Sequence, residues 1–124
     1  MVLSQKLAKI EQIAYKLGYT IIAGKENVCI FSTKTIVLNM RQSRLKRAWT
    51  TAHEVAHALT LKKCIKEIGL RSVSGANHEW PSLEAEFRAW KTTDRLMRKL
   101  NMYSPEYLKY KHACIRSYYC AHSR

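Results

Sequence analysis

The chain has 124 residues, which is enough for one domain and too few for two of ordinary size. Hydrophobic residues make up 47% of it, a fraction typical of a folded protein, and no stretch approaches the roughly 20 continuous apolar residues of a membrane span. Lysine and arginine number 22 against 9 acids, a net charge of +13 that attracts nucleic acids or acidic protein surfaces. The first residues lack the apolar core of a secretory signal, so we expect a soluble, cytoplasmic protein.

The first third of the chain predicts a helix followed by a small sheet. Apolar residues recur at helical spacing from Leu7 to Leu17, and Gly18 is expected to end this helix. The β-branched runs TIIAG, VCIFS and TIVLNM then predict three short strands in a meander. We expect the last strand, Thr35 to Met40, to present an exposed edge of the sheet.

Three helical patterns follow the strands. One helix is predicted from Ser43 as N-cap to about Leu61, and another from Ser82 as N-cap to about Leu100. A Tyr-rich segment after Pro105 predicts a final helix, whereas the segment 62–77 is compatible with a short helix or a loop. The expected fold is α+β in a single domain over residues 1–124, with a core at 1–102 and a helical extension at 103–124.

A metal-binding pattern lies inside the second predicted helix. His53 and His57 are one turn apart, so both imidazoles can reach a single zinc ion from the same helix face. Glu54 lies between them and points beside the metal, where a carboxylate can accept a proton from a water that the metal has made acidic. The sequence therefore predicts one zinc ion per chain, with Glu54 as the catalytic base.

A catalytic zinc needs a third protein ligand, for which His78, Glu84 and Glu86 are candidates. At 100° per residue, Glu86 falls near the centre of the apolar face of the third helix, whereas Glu84 falls almost opposite. A carboxylate on an apolar face is costly unless a cation compensates it. Helical phase therefore favours Glu86 as the ligand. The predicted apolar face consists of the following residues: Leu83, Phe87, Ala89, Trp90, Met97 and Leu100.

The passage IVLNMRQSRLKRAWTTAHEVAHAL, followed by EAEFRAW, resembles the ImmA/IrrE-type zinc metallopeptidases over roughly residues 1 to 100. The resemblance implies a minimal gluzincin-like domain: a helix, a short sheet, the HExxH helix and a helix that carries a glutamate ligand. It also implies Glu86 as that ligand, because the family has a small residue three positions later, as Ala89 is here. The family often has an asparagine where Trp90 stands. Its substrates are specific proteins, with transcriptional regulators among them.

A second resemblance is to the SprT-like metalloproteases, which act at DNA and take a histidine as third ligand. His78 could have that role, or it could border the cleft and stabilise an oxyanion. The Cys-x-x-Cys zinc ribbon of that group is absent from this sequence. Tyr103 is a further candidate for stabilising an oxyanion, because a tyrosine hydroxyl can donate to one.

The four cysteines form no Cys-x-x-Cys pair, and Cys29 is expected in the core. The C-terminal segment carries four potential zinc ligands, whose order matches no recognised ligand spacing: His112, Cys114, Cys120 and His122.

The sequence is compatible with two functions. The leading prediction is a zinc metallopeptidase with a protein substrate, and the alternative is a basic zinc-containing module that binds nucleic acid or an acidic protein. Glu54 favours the enzyme, since a purely structural zinc does not need that carboxylate.

Overall fold

A computed structural model describes residues 1–69 and 82–122 and confirms the α+β class. The helices of this part of the chain are α1 (Leu3–Lys16), α2 (Arg44–Ile68), α3 (Leu83–Lys99) and α4 (Pro105–His122). Its strands are β1 (Thr20–Gly24), β2 (Val28–Ile30) and β3 (Thr35–Asn39). Within these ranges no helix combines the length and the apolar character that a membrane crossing requires.

Helix α2 is the central element of the fold. Ser43 caps it as predicted, with Oγ accepting the backbone N–H of Lys46 at 3.2 Å. The helix continues beyond the predicted end near Leu61 as far as Ile68, and Gly69 then leaves the helical conformation with φ of +88°. Every residue in 48–58 is buried. Helix α1, the sheet and helix α3 all pack against α2, so this stretch is covered on all sides.

The sheet is mixed, and the predicted meander is wrong. Strand β3 lies in the middle, parallel to β1 on one side and antiparallel to β2 on the other. Ile36 and Leu38 of β3 are almost fully buried, whereas β1 is largely exposed and β2 has only three residues. The strand with the two buried side chains therefore takes the central position. For the same reason the predicted exposed edge at β3 is wrong, and β1 and β2 form the edges.

Helix α3 brings the second half of the chain back onto α2. Ser82 caps it as predicted, with Oγ accepting the N–H of Ala85 at 3.2 Å, and the helix ends before Asn101, whose φ is +56°. Its buried face consists of Ala85, Ala89, Trp90, Thr93 and Met97. Phe87, which was predicted on the apolar face, is 48% exposed because it lies at the margin of the arc that faces α2.

Helix α4 packs into the core through its first turns. Tyr107 is fully buried, and its hydroxyl donates to Oδ1 of Asp94 on α3 at 2.6 Å. Lys111 binds Oδ2 of the same carboxylate at 2.7 Å. We call these three residues the Asp94 clamp. The clamp fixes the orientation of α4 relative to α3, and thereby determines which side chains of α4 face the centre of the molecule.

Candidate metal centre

The two histidines of the HExxH pattern lie side by side on α2. One helical turn separates His53 from His57, so the two rings project from the same face with centroids 4.7 Å apart. Both residues are buried, with 8% and 5% of their surfaces exposed. The small residues around them, Ala52 and Ala56, leave room for the helix to approach its neighbours closely.

Glu86 of α3 faces both histidines. Its Oε2 lies 3.0 Å from Nε2 of His53, and its Oε1 lies 2.7 Å from Nε2 of His57. The three donor atoms lie within 4.8 Å of one another, so the group could hold a metal ion. Tetrahedral ligands at about 2 Å from a zinc ion are roughly 3.3 Å apart, which is of the same order as the separations in this group. Two imidazole nitrogens and one carboxylate oxygen are also a donor set that zinc accepts.

Glu86 and His57 stabilise each other's charged forms, and His53 also stabilises the charged form of Glu86. Burial disfavours ionisation of Glu86, but the hydrogen bonds with His53 and His57 and the positive character of both rings hold its pKa well below the ordinary value. Burial works against a charged His57, yet the bond to Glu86 and the nearby carboxylates raise its pKa. Without a metal, an ionised Glu86 is therefore compensated by the rings around it, and a bound cation would take over that role.

Glu54 is buried beside the three donor atoms without being one of them. Only 6% of its surface is exposed. Burial raises the pKa of its carboxyl; His53 and His57 oppose this rise, and the charge of Glu86 adds to it. The role of Glu54 as a general base stays a prediction. A carboxyl with a raised pKa binds a proton more readily near neutral pH than an ordinary glutamate does.

Glu84, the rejected candidate, lies on the outside of α3, as helical phase predicted. Its carboxylate accepts from Nε of Arg88 at 2.9 Å, and Nη1 of the same arginine reaches Glu67 of α2 at 3.1 Å. These exposed ion pairs tie the ends of the two helices together. Glu84 and Glu86 therefore separate into a surface residue and a site residue.

Three side chains of β2 and α4 lie near enough to Glu54 or Glu86 for the carboxylate charges to affect their ionisation, and the sequence did not predict this. Burial raises the pKa of Cys29 on β2, and the adjacent Glu54 carboxylate adds to the rise. On α4, burial raises the pKa of Cys114 and of Tyr118, and the charge of Glu86 contributes to both. The spacing of Tyr107, Cys114 and Tyr118 on one helix face was the available signal.

Tyr110 connects α4 to the helix that carries the histidines. Its hydroxyl shares a hydrogen bond with Thr50, one turn before Glu54 on α2. Its ring centroid lies 6.2 Å from that of Trp90, which in turn stacks on His53 at 3.9 Å. The inner face of α4 thus packs against side chains of the two helices that carry the three donors.

No other candidate ligand in the described part of the chain joins this group of three donors. The described contacts of Tyr103 are with the Tyr107 ring and the Arg98 guanidinium, away from the histidines. His78 lies outside the described residues, as does the side chain of His122. His112 and Cys120 are exposed on α4. Within the described ranges, His53, His57 and Glu86 form the only group of metal-binding side chains that converge.

Comparison of the chain with protein families, with characterised proteins and with solved structures finds no significant match.

Proposed function

We propose that this protein is a zinc-dependent metallopeptidase that cleaves a specific protein substrate. The observation that carries the proposal is the burial of Glu54 beside a group of three converging donors, His53, His57 and Glu86. A structural zinc takes four protein ligands, whereas a catalytic zinc takes three and leaves one position for water or substrate. Three donors with an adjacent carboxylate that is not one of them match the catalytic type.

The chain's own residues divide the work of hydrolysis. When bound, zinc supplies Lewis acidity that polarises the peptide carbonyl and makes water easier to deprotonate. Glu54 accepts the proton of the attacking water and then delivers it to the nitrogen of the leaving amine. A carboxylate suits both steps, because the group has to take up the proton and release it again in each cycle.

Strand β2 is the best candidate for binding the substrate backbone. Among the described residues it pairs only with β3, so its other edge is unpaired. Its central residue, Cys29, lies close enough to Glu54 for the carboxylate charge to raise the thiol pKa. An extended peptide that pairs with this edge as an added strand would pass next to the catalytic base. Strand β2 therefore takes the place of β3 as the proposed substrate-binding strand, because both edges of β3 are paired with other strands.

The experiment compares Glu54→Gln with wild type in the native host. The amide keeps the size of the side chain but cannot accept the proton, so cleavage should fall by ~100-fold or more. Zinc binding should be unchanged, since Glu54 is not a ligand. Glu84→Gln is the matched control, because it removes an exposed carboxylate from the surface of α3.

The measurement is the set of protein fragments that each host strain contains. Fragments present in wild type and Glu84→Gln, but missing in Glu54→Gln, would identify the substrate directly. The family resemblance points to a transcriptional regulator among them. Identical fragments in all three strains, with zinc bound in each, would show that the protein is not a peptidase.

A second candidate function, polyanion binding, is favoured by one surface. Arg41, Arg44 and Lys46 are exposed and Arg47 is half-buried, and none of the four forms an ion pair with a described carboxylate. The first turn of α2 also lacks an acidic residue. Positive side chains at a helix N-terminus add to the positive end of the helix dipole. This end of α2 therefore attracts anions, of which nucleic acid is the proposed partner.

Salt dependence tests this second function. Binding to duplex DNA should weaken steeply as the salt concentration rises. In a plot of the logarithm of the binding constant against the logarithm of the salt concentration, the magnitude of the slope should be close to the number of phosphates contacted. Replacing Arg44 and Lys46 by glutamine should reduce that slope by about two. Replacing Lys62 and Lys66, which are exposed near the other end of the same helix, removes equal charge and should leave the slope nearly unchanged. Equal effects of the two pairs would argue against a defined surface.

A further inference from the structure

We propose that Thr93 is a positioning residue for the metal centre: its hydroxyl accepts a hydrogen bond from Nδ1 of His53 and so leaves Nε2 of that ring for the metal. The inference rests on the metal-binding part of the proposed function and does not depend on the protein being a peptidase. Thr93 is fully buried on α3, two helical turns after Glu86 and on the same face.

The direction of the hydrogen bond follows from the contacts of the threonine. Oγ1 of Thr93 lies 2.8 Å from the carbonyl oxygen of Ala89, one turn earlier, and donates its proton there. A hydroxyl has one proton, so towards any other partner Thr93 can only accept. That partner is Nδ1 of His53 at 3.4 Å, which must then be the donor.

This contact determines which nitrogen serves the metal. A metal ion binds a nitrogen lone pair, so in a neutral, metal-bound imidazole a proton kept on Nδ1 makes Nε2 the ligand. Nε2 is also the nitrogen that faces Glu86, at 3.0 Å from Oε2. Metal-binding histidines generally donate their second nitrogen to an outer partner, which fixes both tautomer and ring orientation. Thr93 is such a partner for His53.

Stacking alone would not give the same result. The Trp90 ring lies on the His53 imidazole with centroids 3.9 Å apart and planes 20° apart, which fixes the plane of the imidazole. A half-turn of the imidazole about its bond to Cβ keeps that plane but exchanges the nitrogen and carbon positions. Two contacts distinguish the two orientations, that of Nε2 with Glu86 and that of Nδ1 with Thr93, and the threonine is the one on the side away from the donor group, because a carbon in place of Nδ1 would not donate a comparable bond. The separation of 3.4 Å is long for a hydrogen bond, which suits a contact that selects an orientation more than one that supplies energy.

Thr93→Val is the decisive substitution because it keeps the shape and removes the acceptor. Loss of an outer partner typically weakens metal binding 10–100-fold, and we expect about tenfold here. Thr93→Ser keeps the hydroxyl and should restore affinity to within about threefold of wild type. Thr51→Val is the matched control: Thr51 is equally buried and donates to the carbonyl of Arg47, one turn earlier, at 2.6 Å. Its zinc affinity, measured by competition with a chelator, should be that of wild type.

Nuclear magnetic resonance of protein labelled with ¹⁵N at histidine measures the exchange of the ring N–H protons, which distinguishes loss of this hydrogen bond from loss of packing. In zinc-loaded wild type, Nδ1 of His53 should carry a proton that exchanges slowly with water, and Thr93→Val should speed its exchange without changing the His57 signals. Equal weakening in the Val, Ser and Thr51 variants would overturn the proposal in favour of packing. Wild-type affinity in Thr93→Val, with an unchanged His53 proton, would also overturn it.

A failure of the metal site itself is distinguishable from a failure of this inference. If wild type binds no zinc, the metal-site proposal is wrong, and the metal-free spectra then decide the role of Thr93. A change in the His53 ring-nitrogen resonances on Thr93→Val, with those of His57 constant, would support the contact. No change at His53 would overturn it.

Discussion

The centre of the molecule and its C-terminal helix both carry side chains of the types that can bind metals, but within the described residues only the centre brings three of them together. His53 and His57 are one turn apart on α2, and Glu86 reaches both from α3 with separations of 3.0 and 2.7 Å. On α4, His112 and Cys114 are two positions apart and therefore point in different directions. Cys120 lies eight positions after His112, about 12 Å further along a helix, and both are exposed.

The difference shows what a metal site requires from a helical protein. Spacing of four residues gives two convergent donors, and the third must come from a second element whose position is fixed by packing. Burial of Ala85, Ala89 and Trp90 against α2 fixes α3, and with it Glu86. Among residues 1–69 and 82–122, no second element brings another metal-binding side chain to the exposed face of α4. Variants at the centre and on α4 test whether the two regions differ in this way.

The largest effect is expected from the paired variants Glu86→Gln and Glu84→Gln. The first removes a ligand and should weaken zinc binding by more than ~100-fold, beyond the range seen for an outer partner. The second removes only an exposed ion pair with Arg88 and should leave zinc binding unchanged. Competition with a chelator measures both. Loss of binding in Glu84→Gln alone would mean that α3 is rotated relative to its described position.

Removing the metal should destabilise the fold. Zinc that binds only the folded chain stabilises it by about 2.7 kcal/mol when free zinc is a hundredfold above Kd. Thermal unfolding should therefore occur at a higher temperature with zinc than with a chelator present. Glu86→Gln should show almost no such difference. A zinc effect of equal size in wild type and in Glu86→Gln would place the metal elsewhere.

Breaking the Asp94 clamp should have a smaller effect. Lys111→Met keeps the aliphatic length of the side chain but removes a charge-assisted bond between mostly buried groups, which should lower the free energy of unfolding by about 1–3 kcal/mol. Lys109→Met, on the exposed side of the same helix, should change it little. Denaturant titration of both variants measures the difference. Equal stabilities would show that the clamp does not hold α4.

The smallest effect is expected in the tail. His112→Ala and Cys120→Ser should leave the zinc content per chain unchanged, because these exposed side chains do not converge with another described donor. Metal analysis of protein purified without chelators measures this. A fall in zinc content for either variant would establish a site on α4 and remove the contrast between the two regions.

Local patterns predicted the parts of this site that depend on helix geometry alone. The spacing of His53 and His57, and the phase that separates Glu86 from Glu84, need nothing beyond the pitch of a helix. The order of the strands depends on which strand buries more side chains against α2, and alternation along each strand does not reveal that. The proximity of Cys29, Tyr110 and Cys114 to the two carboxylates likewise depends on tertiary packing. Trp90 and Thr93 were in the predicted helix, but their contacts with His53 follow only from the docking of α3 on α2.

X-ray absorption at the zinc edge, on protein loaded with one equivalent of zinc, tests the central claim most directly. The account predicts a first shell of nitrogen and oxygen atoms at about 2.0–2.2 Å, with the multiple-scattering signature of two imidazoles and no sulfur ligand. The same measurement on Glu86→Gln should show a disordered or missing site. A sulfur shell at about 2.3 Å in the wild-type protein would place the zinc on cysteines and contradict the account.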